Sequence, residues 1–293
     1  LKIGLALGSG AARGFAHVGI LKAFHEAGVK PYAITGSSMG ALIGGIYASG
    51  YSIKKIEEFI KNLDFSVFKN FVDFKISKAG LVDGKKIEEF LESVIDIREM
   101  SKLETKFACV ATDTLTGVEV IFDKGDLIKA IRASISFPGV FIPVYYEGMF
   151  LIDGGIKNPV PVDLLPKECD IKIAVDVGPF VVKDKLIKKY LTQKPVSHKN
   201  NIYDSFNKLV KHIFNINNNE KIKYPSLLET LVQTIAIMQQ SIYEYKIKNI
   251  ENVIEIRPDL DKYKLIDFNK AAEIMEIGYK EGKKIVKELI DEQ

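Results

Sequence analysis

An α/β fold, with a mainly parallel sheet carrying helices on its faces and a helical C-terminal cover, follows from three observations. Strand and helix signals alternate at short intervals through the first fifty residues, which calls for parallel strands joined by crossover helices. Apolar, β-branched runs then recur as far as Val177. Beyond residue 226 the apolar spacing is helical almost throughout.

Each element has its own signal. Lys2–Leu7 is a short apolar strand, and the glycine-rich turn Gly8–Gly14 follows it. Phe15–Ala27 has helical spacing (Phe15, Val18, Leu21, Phe24) and stops at Gly28. Pro31–Thr35 reads as a buried strand, and Met39–Ala48 as a helix closed by Gly50. Ser52–Leu63 and Asp83–Ile95 are amphipathic helices with N-caps at Ser52 and Asp83. Phe107–Thr112 and Val118–Phe122 form a hairpin, and Asp126–Ser134 a short helix. Tyr145–Ile152 crosses a Gly148 turn into a strand that ends at Asp153, and Ile171–Val177 is another strand. The helices Ser226–Lys248 and Phe268–Ile290 flank a last strand, Val253–Ile256. Residues 1–180 therefore read as the core, 181–225 as a variable lid or loop, and 226–293 as a helical part of the same domain.

With 47% hydrophobic and 27% charged residues over 293 positions, the composition is that of a soluble globular chain with a large core. The longest apolar stretches, such as Ala41–Ala48, fall short of the roughly 20 residues a spanning helix needs. No leader pattern opens the chain, since Lys2 leads straight into a strand; the missing initiator Met leaves room for an upstream segment. Cys109 and Cys169 lie far apart in apolar stretches, so buried free thiols in a reducing, cytoplasmic setting are expected. None of the four histidines clusters with a cysteine, and no zinc site is expected.

Charge is unevenly spread. Between Lys183 and Lys223 ten lysines face three acids, a local balance of +7 in a chain of net +3, so the remainder carries about −4. A solvated loop is one reading of this run. The other is a lid or patch in peripheral contact with an anionic membrane surface. No nucleic-acid partner is expected.

The candidate chemistry sits in two glycine-rich turns and one aspartate. Gly36-Ser37-Ser38-Met39-Gly40 is a G-x-S-x-G pentapeptide between a strand and a helix, a context that lifts Ser38 out of the sheet as a nucleophile. The other reading is an ordinary turn in which Ser37 or Ser38 caps the helix. The turn Gly8-Ser9-Gly10-Ala11-Ala12-Arg13-Gly14 is a cradle of backbone N–H groups at a helix start. A pyrophosphate would need Gly at position 13, where Arg13 stands, and an acid at the end of the next strand. The alternative anion is the oxyanion of a tetrahedral intermediate, and a third reading is helix packing alone.

A serine needs a base. His17 and His25 lie on the first helix and read as satisfied or solvated. His198 and His212 follow Asp153 in an order that permits a triad, but neither sits in a fixed loop at a strand end. Asp153, delivered by a strand and followed by Gly154-Gly155, is the better base: a desolvated carboxylate has a raised pKa and takes a proton directly. Alone, it would read as an Asx-turn.

Together these segments resemble the patatin-like phospholipases, in particular their compact bacterial members. Gly8–Gly19 is similar to the glycine-rich oxyanion loop of that family, and Gly36–Gly40 to its nucleophile elbow. Ala133-Ser134-Ile135-Ser136-Phe137-Pro138-Gly139-Val140-Phe141-Ile142-Pro143 is similar to its A-S-x-S-x-P-x-x-F-x-P block, and Asp153-Gly154-Gly155 to the motif carrying its aspartate. The resemblance covers residues 2 to 178. It implies a three-layer α/β/α fold, a Ser38–Asp153 dyad without metal or organic cofactor, and a lipid ester as substrate. The implied oxyanion hole is Gly8, Ser9, Gly10 and Ala11, with Arg13 and Gly14 supporting the loop. Where the family commonly has three or four glycines in a row, this chain has Gly8-Ser9-Gly10-Ala11. Two rivals stand beside the hydrolase: an acyltransferase sharing the acyl-enzyme, and a non-catalytic lipid-binding regulator.

Overall fold

The computed structural model describes residues 1–61, 74–77, 80–178 and 227–291. Residues 1–179 with 235–293 form one compact unit and residues 180–234 a second. Of the second unit only 227–234, the first two turns of a helix, belong to the described residues. The lysine-rich stretch, His198 and His212 lie outside them.

In chain order the elements are β1 (Ile3–Leu7), α1 (Ala16–Glu26), β2 (Ala33–Gly36), α2 (Met39–Ala48), α3 (Ile53–Lys61), β3 (Phe74–Ser77), β4 (Gly80–Val82) and α4 (Lys85–Val94). They continue with β5 (Lys106–Asp113), β6 (Glu119–Phe122), α5 (Leu127–Ser134), β7 (Val144–Tyr146), β8 (Met149–Asp153) and β9 (Ile171–Val175). The last are α6 (Leu227–Ile247), β10 (Val253–Ile256) and α7 (Ala271–Asp291). The helix ends follow their local signals. Gly28, at φ +71°, takes over where α1 stops, and the Asp126 carboxylate caps α5 by accepting from the Lys129 N–H at 3.0 Å. At α4 the cap falls one residue later than expected: Gly84 is the N-cap, and Asp83 instead accepts from the Lys85 N–H at 3.0 Å.

Eight strands form one sheet in the order β10-β9-β1-β2-β5-β8-β7, with β6 also on β5. The pairs from β10 to β5 are parallel, while β8, β7 and β6 join antiparallel. The short hairpin β3–β4 stands apart from this sheet.

The sheet has one face of large side chains and one of small. Leu5, Leu7, Ile34, Phe107 and Ile173 pack into the major core, against α1, α2, α5 and α7. Ala6, Ala33 and Ala174 point the other way, onto Val160, Val162 and Leu165 and onto Tyr243 of α6. This is strand alternation at work, and it gives a mixed, mostly parallel sheet with helices on both faces. The C-terminal helix is part of that packing. A Cβ at Gly19 of α1 would fall on the Met275 carbonyl, and one at Gly278 of α7 on that of Ala16, so two glycines let these helices touch backbone to backbone. Cys109 and Cys169 are free and buried, and burial pushes the Cys109 thiol pKa up. No helix among the described residues is long and apolar enough to cross a membrane.

Candidate active site

Three strand ends make the site. Leu7 of β1 lies beside Gly36 of β2 in a parallel pair, so the turns 8–14 and 36–40 leave the sheet side by side. The Ser37 N–H donates to the Leu7 carbonyl at 3.1 Å, and a Cβ at Gly40 would strike that same carbonyl. Gly40 is thus required by close approach. The third end comes from β8. Cys109 of β5 pairs with both Gly36 and Phe122, and Ala111 with both Val120 and Asp153. Since β6 occupies one side of β5, β2 and β8 must share the other. They arrive from opposite directions and stop two β5 residues apart, about 7 Å. Asp153 therefore ends where the elbow begins.

Ser38 has φ +55° and ψ −121°, a conformation in which an L-residue is strained and which persists only when its surroundings fix it. Its N–H is held by the Ser134 hydroxyl of α5 at 3.0 Å. Its own hydroxyl donates to Asp153 Oδ2 at 2.5 Å. The other carboxylate oxygen, Oδ1, accepts from the Gly155 N–H at 2.7 Å, and the Asp153 N–H donates to the Ser136 carbonyl at 2.9 Å. Asp153 is fully buried, while Ser38 is half-exposed. Burial raises the Asp153 pKa to about 6 against the opposing effect of the hydrogen bonds from Ser38 and Gly155. The carboxylate is thus ionised at neutral pH yet more basic than an exposed one.

The glycine-rich turn divides its donors. The Gly8 N–H is taken by the Val175 carbonyl at 2.9 Å and the Ser9 N–H by that of Pro159 at 2.8 Å. Those two were expected in the oxyanion set; in this structure both N–H groups are tied to neighbouring backbone. The N–H groups of Ala12 and Arg13 are likewise taken, by Leu265 and Gly10. Gly10 and Ala11 have no such acceptor among the described residues. Ala11 sits at φ +45°, where the family's glycine would be unstrained.

The support of this turn was only partly visible beforehand. Arg13 is buried and faces away from the turn: Nε and Nη2 donate to the Tyr263 carbonyl at 2.9 and 2.7 Å, and Nη1 to Gly178 at 3.1 Å. Gly14 packs under Met39. His17 lies buried with Nε2 at 2.8 Å from the Gly8 carbonyl, so that nitrogen carries the hydrogen. Burial lowers its pKa to about 4, partly offset by that hydrogen bond, and the ring is neutral at neutral pH. His25 is exposed. Sequence reasoning assigned no role to Ser134 or Ser136, although both stand in the block that carried the resemblance. It missed Arg132, which donates to the Ser136 hydroxyl at 2.6 Å, and Gln239 of α6, 3.4 Å from the Ser9 hydroxyl. Among the described residues no three His, Cys, Asp or Glu side chains gather as a metal site.

Residues 5–166 match the family model of the patatin-like phospholipases. The chain belongs to this family, and the elbow, the glycine-rich turn and the aspartate all fall inside the matched span. An uncharacterized NTE family protein of Mycobacterium tuberculosis is 38% identical over 178 residues, 60% of this chain and 49% of that protein. Lysophospholipase NTE1 of Saccharomyces cerevisiae is 28% identical over 300 residues, 99% of this chain but 17% of that one. The chain thus spans about half of its mycobacterial relative and far less of the yeast one. VipD from Legionella pneumophila is a structural neighbour at a TM-score of 0.48 and 14% identity, covering 98% of this chain and 67% of that chain.

Proposed function

We propose that the chain is a serine acyl hydrolase cleaving fatty-acyl esters of phospholipids, lysophospholipids or related lipids. The observation that carries the reading is the hydrogen bond from Ser38 to Asp153, made at a strained elbow onto a fully buried carboxylate. Asp153 takes the hydroxyl proton as Ser38 Oγ forms a bond to the ester carbonyl carbon. The carbonyl oxygen becomes an oxyanion, for which the N–H groups of Gly10 and Ala11 are the donors left over. Collapse breaks the bond to the alcohol, which leaves with the proton from Asp153. Water then repeats the sequence on the acyl-Ser38, releasing the fatty acid and restoring the dyad.

A fluorophosphonate followed by peptide mass spectrometry tests the nucleophile. The adduct is expected on Ser38 with parallel loss of ester hydrolysis; an adduct elsewhere, or hydrolysis that survives full modification, refutes it. Fatty acid released without any added acceptor alcohol or thiol separates hydrolysis from acyl transfer.

A further inference from the structure

Ser38 and Asp153 are both held by one short strap, Ser134-Ile135-Ser136, which ends α5. The Ser134 hydroxyl accepts from the Ser38 N–H at 3.0 Å, and the Ser136 carbonyl accepts from the Asp153 N–H at 2.9 Å. Both serines of the strap are fully buried. Strand pairing brings the ends of β2 and β8 near one another, whereas a hydrogen bond between their side chains needs agreement to a few tenths of an ångström.

Arg132 ties the strap to two other segments. Its Nη1 donates to the Ser136 hydroxyl at 2.6 Å, and that hydroxyl donates in turn to the Arg132 carbonyl at 2.8 Å. Nη2 donates to the Asp83 carbonyl at 2.6 Å and to that of Ile142 at 3.3 Å. Nε lies 3.7 Å from the Glu88 carboxylate of α4, and the guanidinium sits 5.2 Å from the centre of the Phe141 ring. Gly84, at φ +81°, lies so close that a Cβ there would strike the guanidinium. One buried group thus joins the end of α5, the Phe141–Ile142 loop and the start of α4. Packing alone does not account for it. Desolvating a guanidinium is costly, and an apolar side chain of similar volume is often no less stable. What the apolar side chain lacks is a planar fork that fixes its partners in direction as well as distance.

We infer that Arg132 is a positioning residue for the reaction: through Ser136 it holds the strap where the Ser38 hydroxyl meets the Asp153 carboxylate. Its hydrogen bonds go to Ser136, Asp83 and Ile142, so it acts on the pair only through the strap. The inference rests on Ser38 and Asp153 being the reacting pair. Loosening the strap slows proton transfer and attack without touching the groups that bind the ester, so the loss falls on kcat and leaves KM.

Arg132→Lys keeps the charge and loses the fork. Its kcat on a soluble ester is expected to fall about 30-fold, the size of one charged hydrogen bond, with KM within about twofold. Fluorophosphonate labelling of Ser38 slows by the same factor. Ser136→Ala cuts the link and leaves the guanidinium in place, so it carries the test even if Arg132→Lys does not fold. It is expected to lose about as much, and the double variant little more, because the two residues share one route. Parent-like turnover in both folded variants, a loss confined to KM, or additive losses each overturn the inference. Amide exchange, followed by NMR well below the melting point, separates positioning from general stability. In either variant the Ser38 and Asp153 N–H groups are expected to exchange about tenfold faster while Leu5 and Ile173 keep the parent rate. Uniform acceleration along the sheet overturns the inference. The two readings fail separately. If the parent takes no adduct on Ser38 while those two amides still exchange faster in the variants, the nucleophile falls and the clamp on both backbones stands. If the parent is labelled on Ser38 and the variants at the same rate, the nucleophile stands and the role of Arg132 falls.

Discussion

The turns 8–14 and 36–40 leave adjacent parallel strands at the same edge of the sheet, and both lead into helices, yet they treat their backbones in opposite ways. In the elbow the Ser38 N–H is tied to Ser134 and the side chain is presented. In the glycine-rich turn the side chains are turned aside, Arg13 toward Tyr263 and Gly178, and two backbone N–H groups are kept in hand. Each turn accepts one residue at positive φ, Ser38 at +55° and Ala11 at +45°. One strand–turn–helix plan thus gives two complementary halves: a presented serine side chain and a pair of N–H groups without a backbone acceptor among the described residues. The choice is made by neighbours that fix the backbone, since the local sequence permits either.

The comparison is broken most severely at the proposed dyad. Ser38→Ala and Asp153→Asn are each expected to lower kcat on a soluble ester by on the order of 10⁴, and the double variant by little more, because such residues act as a unit. Additive losses would separate them. The pH dependence tests the same pair. Protonated Asp153 cannot accept a proton, so kcat/KM is expected to fall on the acid side through a midpoint near the Asp153 pKa of about 6. His17, lowered to about 4, titrates below that limb. An unchanged rate from pH 7.5 to 5 would remove Asp153 as the base.

Stability gives the pair a second readout. A carboxylate whose folded pKa is raised burdens the folded state above that pKa, and the burden is relieved as pH falls through it. Raised from 3.8 to about 6, Asp153 costs about 3 kcal/mol above pH 7. Asp153→Asn is therefore expected to melt no lower than the parent at pH 7.5, its advantage shrinking toward pH 4; the opposite trend would mean the carboxylate is stabilised where it lies.

Smaller effects sharpen the contrast between the turns. Ser134→Ala leaves the Ser38 N–H without its hydroxyl partner, so about 1–2 kcal/mol of stability and about tenfold in kcat are expected to go, read by melting and ester assay. The mildest change is Ala11→Gly. Relief of the positive φ outweighs the added freedom of the unfolded chain, and stability rises by about 0.5–1 kcal/mol with activity kept. A lower melting point would show that the Ala11 methyl packs usefully.

Much of this was legible because the decisive signals are short and local. Glycines, a serine between a strand and a helix, and Asp153-Gly154-Gly155 mark turns whatever the rest of the chain does, and long periodic helices announce themselves. The hairpin β3–β4 was not read, since strands of four and three residues carry too little periodicity. Ser134 and Gln239 could not be placed, because their partners Ser38 and Ser9 lie 96 and 230 positions away.

By itself the sequence determined the kinds of element, their order, and the residues whose chemistry needs a turn: Ser38, Asp153 and the stretch from Gly8 to Gly14. Tertiary structure decided which ends meet. β2 and β8 share one side of β5 only because β6 holds the other, and that brings Asp153 to Ser38. Tertiary packing also decided which N–H groups of the turn are spent, because Val175 and Pro159 arrive from elsewhere to take those of Gly8 and Ser9. The reason is the range of the forces involved. Backbone preference and side-chain period act over a few residues, whereas hydrogen-bond partners and desolvation depend on whatever the fold brings within about 3 Å.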